Sequence, residues 1–271
     1  MDIALLAFFG LLGLVVGSFL NVVVLRFGFS ESPAPRSHCA HCHTQLGAHD
    51  LIPVLSYVAL GGRCRSCGSS ISLQYPLVEI TTGALFALTF SVLGVPEDAY
   101  ALMTFLSFLG FWSSLVALVA YDVRHTLVPM QFIYGLWAFA ALGVLAVALQ
   151  TQSIVVPGMM ILGGVIPAGF FALITFLTKG KGMGIGDSYV ALGTGTMLGF
   201  PLGIMSAVLG VWAGALFGVS VILLQKVFPL LRKLLSLRRV TLKTELPFAP
   251  FLALGAVVVF ALGSSVTDLL F

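Results

Sequence analysis

Charge is the scarcest property of this sequence. Only 8% of its 271 residues are Asp, Glu, Lys or Arg, against 59% hydrophobic, and the mean hydropathy is +1.10. Water-soluble domains run near a quarter charged, so a soluble globular fold is excluded and lipid solvates most of the chain. Cysteine is absent outside one short region, which excludes a disulfide framework spread through the fold. The amino terminus has no basic run, begins Met1-Asp2, and carries an apolar stretch longer than that of a signal peptide. The reading is a retained first span rather than a cleaved leader.

Runs of about 18 or more apolar residues read as membrane-spanning helices. Seven qualify: 3–25, 78–95, 99–121, 132–149, 154–178, 202–224 and 248–270. An eighth, 189–200, would reach only about 18 Å as a helix. Charge placement decides for eight. All thirteen Lys and Arg fall in loops 26–76, 122–131, 179–188 and 225–247, and with eight spans these loops share one side. The positive-inside rule makes that side cytoplasmic and puts both termini outside. The net charge of +3 then reflects orientation, and no nucleic-acid partner is needed to explain it. The expected fold class is an all-α polytopic membrane protein of about eight transmembrane helices with a small cytoplasmic insert.

Three parts are expected: residues 1–25 as the first transmembrane helix, 26–76 as a cytoplasmic zinc-binding insert, and 77–271 as a membrane core. Loop 225–247 interleaves Leu with Lys and Arg, as in a helix lying on the inner leaflet or an ordinary basic loop. No internal repeat or low-complexity tract is apparent. All four cysteines lie in the insert, as "CAHC" (Cys39, Cys42) and "CRSC" (Cys64, Cys67). Two CxxC pairs complete a tetrahedral thiolate site, and a reducing cytosol favours Zn2+ over cross-links. About 50 residues with little apolar core need such a staple. The alternatives are two unmetallated pairs or a redox-active dithiol. His38, His41, His43 and His49 lie close enough in sequence to replace a sulfur.

Of ten acids, Glu79, Asp122, Asp187 and Glu245 fall at cytoplasmic ends of spans, where a carboxylate invites a functional reading. Asp122 closes one span in "YDVRHTLVP", with a Val-Pro opening the next. Asp187 follows "GMGIG", whose glycines permit unusual backbone or close approach and point to a wet pocket. Bland readings stand beside this. Asp187 caps a helix N-terminus, and Asp122 pairs with Arg124 or His125.

"GSFLNVVVLR" (17–26), the doubled CxxC, "LIPVLSYVALGGRCRSCGSSISLQYPLVE" (51–79), Asp122 with Val128-Pro129, "GMGIGD" (182–187) and "PFAPF" (247–251) occur in order over nearly the whole chain. Together they resemble the type IV prepilin peptidases, GxGD-type aspartic proteases of bacterial inner membranes. The resemblance implies a catalytic pair at Asp122 and Asp187. It implies as substrates the precursors of type IV pilins or type II secretion pseudopilins, whose basic leader ends just before an apolar helix. It also implies N-methylation of the new terminus with S-adenosylmethionine, an activity associated with the cysteine insert. The cofactor-binding residues are not readable, and Glu79 is a candidate to orient the amine or to pair with a basic loop. Two departures stand out: Tyr189 where the family often has Lys, and Ala249 where Gly is common. The competing reading is a proton-coupled transporter with a zinc module, and a third is an inactive scaffold. Oligomeric state is not readable from the sequence.

Overall fold

The computed structural model describes residues 2–27, 37–180, 183–227 and 247–270. The expectations for most of loop 225–247 (residues 228–246) and for Glu245 fall outside the described residues. The nine named helices among the described residues are α1 (Ile3–Arg26), α2 (Leu55–Ala59), α3 (Gln74–Leu93), α4 (Ala99–His125), α5 (Met130–Thr151), α6 (Val155–Leu177), α7 (Ile185–Leu198), α8 (Leu202–Val227) and α9 (Ala249–Leu270). No strand is present among those residues, only two isolated bridges. Six of the helices (α1, α3, α4, α5, α6, α8) are long and apolar enough to cross a membrane. Helix α9 is apolar over Ala249–Gly263, and α7 has 14 residues. The protein is thus an all-helical, multi-pass membrane protein.

Large apolar side chains line the outside of these helices. Phe19 is 64% exposed, Phe170 58% and Trp212 64%, which in water would be a liability and in hydrocarbon is solvation. Turn chemistry sets the helix ends. The Asp2 side chain accepts from the Ala4 N–H, and Pro129, with its fixed φ, stands immediately before α5. Helix α7 begins at Ile185, ahead of the apolar run 189–200 and of Asp187 at its expected N-terminus, because extended Gly184 stands at its N-cap.

The chain forms two units. Unit 1 holds residues 1–121 and 134–146, and unit 2 holds 122–133 and 147–271. In unit 1, α1 packs along α3. The contact is backbone on backbone: a Cβ at Gly17 would lie 2.7 Å from the Glu79 Cα and 3.0 Å from the Val78 carbonyl oxygen. Only glycine fits there. Deeper in the unit, Phe9 stacks on Phe90 (5.2 Å) and meets Phe105 edge-on (5.0 Å). In unit 2, α6 packs on α7 and α8 on α9, so the helix that bears Asp187 is packed into this unit.

Candidate active site

Asp122 stands in the last turn of α4, closed by the Thr126 N–H donating 2.7 Å to the Asp122 carbonyl. Its side chain is 4% exposed, and Oδ2 accepts the N–H of Ala249 at 3.3 Å. That N–H belongs to the first residue of α9, one of the donors a helix start leaves without an internal partner. Asp122 therefore caps a distant helix, with its charge at the positive end of the dipole. Sequence reasoning weighed Arg124 or His125 as partners, but both are exposed at the end of α4, and the partner found is a main-chain amide. Any residue but proline at 249 offers that amide, so alanine in place of glycine preserves the contact.

Asp187 lies in the first turn of α7, half-buried, with its N–H donating 3.2 Å to the Gly184 carbonyl. Its carboxylate and that of Asp122 are near enough to interact electrostatically. Each acid is thus placed at a helix start, and both belong to unit 2. Among the described glycines of this stretch, Gly186 acts by close approach, and unusual backbone is not needed. Gly184 has φ −76°, open to any residue. At Gly186 a Cβ would come within 3.1 Å of the Val128 Cβ, so the 122–129 turn rests directly on the α7 start. The sequence signal for that contact was present in the Val-Pro after Asp122, though its partner was not readable.

Unit 1 carries the four cysteines, all free, with sulfurs within 4.8 Å of one another. Cys39 and Cys67 sulfurs are 3.9 Å apart and those of Cys42 and Cys64 4.0 Å. Thiolates at about 2.3 Å from a tetrahedral ion sit about 3.8 Å from each other, so the donor set fits zinc. None of His38, His41, His43 or His49 joins this quartet. The backbone around the two pairs repeats. The Cys39 N–H donates to Thr44 and the His43 N–H to Cys39, while the Cys64 N–H donates to Ser69 and the Gly68 N–H to Cys64. Bridges His38–Gln45 and Arg63–Ser70 close both turns. His43 (φ 56°) and Gly68 (φ 71°) occupy the same left-handed position. This duplication escaped the sequence reading because it lies in dihedral angles, not in residue identity.

Backbone N–H groups of Cys42 and His41 hold the Cys39 thiol down to about 5, and the Ser69 hydroxyl and amide lower Cys67. Low thiol values favour the thiolate that binds metal. Arg65 donates to Asp50 at 2.9 Å through Nε, and this pairing holds the Asp50 carboxyl below its usual range. The pair ties the second cysteine turn to the 3-10 turn Ala48–Leu51. Glu79 also belongs to unit 1, is 6% exposed, and accepts the Val54 N–H at 2.7 Å. No basic residue among those described forms an ion pair with it.

Residues 11–93 match the bacterial peptidase A24 N-terminal domain. Over 265 residues the chain is 34% identical to a type 4 prepilin-like proteins leader peptide-processing enzyme of Escherichia coli, covering 90% of this chain and 89% of that protein. A prepilin leader peptidase/N-methyltransferase of Burkholderia pseudomallei is 31% identical, covering 96% of this chain and 86% of the relative. One of that name from Bacillus subtilis is 29% identical over 94% of this chain and 93% of its own length. No solved structure matches the chain. With relatives more than 30% identical along most of both chains, the chain belongs to the prepilin leader peptidase family.

Proposed function

We propose that this chain is a membrane enzyme that removes the leader from prepilins or pseudopilins, with Asp122 and Asp187 as its acid pair, and then methylates the new amino terminus. One observation carries the peptidase half: acids from two distant segments are held at the starts of two helices, close enough to feel each other's charge. Two neighbouring carboxyls hold one proton between them more cheaply than two charges. The ionised member takes a proton from water, which attacks the scissile carbonyl carbon. The protonated member donates to the carbonyl oxygen. The pair then returns a proton to the leaving amine as the C–N bond breaks. The proton belongs to the pair, not to either residue.

The confinement of all Lys and Arg to four loops supports a reading with the insert and both acids at the cytoplasmic face of a bacterial inner membrane and the termini outside. A leader in the cytosol joined to an apolar helix in the bilayer brings its scissile bond to that depth. Zn2+ is the metal that four cysteine thiolates at these separations suit, and it would lock the insert's fold. S-adenosylmethionine, when bound, supplies a methyl group on a positively charged sulfur. Unit 1 fits a cationic group, since Glu79 is buried there without a basic partner among the described residues.

A purified, detergent-solubilised enzyme given a prepilin peptide tests the reading. Mass spectrometry should find the leader removed and a methyl group added. Asp122→Asn and Asp187→Asn should each abolish cleavage, and wild-type rates in either variant would overturn the acid pair. A proton-coupled transporter has no support from the relatives, which are named as peptidases.

A further inference from the structure

Where α1 meets α3, a buried hydrogen-bond acceptor is left without a donor. Asn21 lies one turn beyond Gly17 and is 0% exposed. Its amide nitrogen donates to the Gly17 carbonyl at 3.3 Å and to the Tyr75 carbonyl at 3.1 Å. Both hydrogens are thereby used, which fixes the nitrogen and oxygen ends of the side chain. Oδ1 is left buried with no donor. Burying such an atom is unfavourable unless something donates to it.

Glu79 follows Tyr75 by one turn of α3. Its carboxylate accepts from the Val54 N–H at 2.7 Å and lies within reach of the Ser18 hydroxyl. Those two donors leave acceptor capacity unused, since a carboxylate takes about four. The Val54 amide is an uncomfortable donor. Val54 has φ 62° and ψ −50°, and the Leu55 N–H donates to the Pro53 carbonyl at 2.6 Å. This is a γ-turn with a β-branched residue on the left-handed side, a strained arrangement. A buried carboxyl is therefore held by a strained peptide, one helical turn along α3 from the Tyr75 carbonyl that the Asn21 side chain binds.

The complement is a group with positive charge and several N–H donors. A divalent cation is a poor match, because it asks for six or more oxygens and this point offers fewer. A primary ammonium brings one positive charge and three donors, the complement of a carboxylate, the unpartnered Asn21 Oδ1 and the Ser18 hydroxyl oxygen gathered on the facing sides of α1 and α3. We infer that Glu79, Asn21 and Ser18 form an acceptor cradle for a primary ammonium group. The inference deepens the methyl-transfer half of the proposed function. Two sources share the required chemistry: the new amino terminus of the substrate and the amino-acid end of the methyl donor.

The test uses the full chain in detergent and measures binding of three probes. They are a leaderless substrate peptide with a free amino terminus, the same peptide N-acetylated, and S-adenosylmethionine. Wild type should prefer the free amine over the acetylated peptide by about tenfold or more, the size of a lost charge-assisted contact. Glu79→Gln should erase that preference and Glu79→Asp should restore part of it. Should Glu79→Gln fail to fold, Ser18→Ala makes the same comparison with a smaller loss. If instead S-adenosylmethionine binding weakens about tenfold and the peptide preference persists, the cradle stands and its ammonium is the donor's. If neither probe responds in Glu79→Gln or Ser18→Ala, the cluster is only a structural clasp and the inference is overturned. A wild type that binds the free amine selectively yet transfers no methyl group would sink the methyl-transfer reading and leave the cradle standing.

Discussion

The cysteine turns of unit 1 and the acid pair of unit 2 are built on opposite plans. The insert has few apolar residues to bury, and its coherence rests on four sulfurs brought within 4.8 Å. The acid pair rests on long helices already stable in lipid, and its polar parts need only a capping amide and one glycine contact. The first plan is reversible chemistry and the second is packing. A chelator can undo one without touching the other, and a point mutation can do the converse.

The largest effect should come from the acids. Asp122→Asn or Asp187→Asn is expected to slow leader cleavage about a thousandfold or more, while metal content stays at the wild-type level. Loss of metal in those variants would show that the two regions are not separable. Next is metal removal. Chelation, or Cys39→Ser, should unfold the insert, read as protease cleavage within residues 37–73, because binding to structural cysteine sites is worth on the order of 10 kcal/mol. The melting of the membrane helices should not move with it. Acid should act in the same direction. The Cys39 thiol is lowered from 9.0 to about 5, so its ionised form persists at neutral pH and is lost as pH falls through that value. Protons compete with the metal for all four thiolates, so metal release followed by a colorimetric chelator should rise as pH falls.

Packing changes come next. Gly17→Leu would drive a side chain into the α3 backbone at Glu79, and a loss of about 1–3 kcal/mol in unfolding free energy is expected. Gly186→Ala faces a contact of 3.1 Å with Val128. It should slow cleavage roughly tenfold with little change in stability, since displacement of a reacting group by a fraction of an ångström is costly. The smallest effect is a gain. His43→Gly relieves a φ of 56° and should stabilise the metal-loaded insert by about 1 kcal/mol, measured by thermal melting.

The helices were legible because each span is a long apolar run, and lipid demands that its backbone bond internally. The apolar run 189–200 understated α7, and although Asp187 was legible at a helix N-terminus, Ile185 and Gly186 ahead of it read as part of the glycine stretch while folding as the first turn. The four cysteines were legible from spacing alone, and Asp122 and Asp187 stood out because charge is so rare near the spans. Asn21 was hidden, as one polar residue in "GSFLNVVVLR" is averaged away by its neighbours. The Val54 conformation and the amide of Ala249 were hidden for another reason. Backbone groups carry no identity in a sequence, so their bonds to Glu79 and Asp122 appear only once distant segments meet.

The sulfur quartet has a use beyond holding an ion. With Cys39 and Cys67 sulfurs 3.9 Å apart, a small closure would join them wherever the surroundings are oxidising, whereas a reducing compartment keeps them open for metal. The redox state of these cysteines in freshly isolated membranes is therefore a built-in gauge of which side of the bilayer the insert occupies, readable by thiol labelling without tags or fusions.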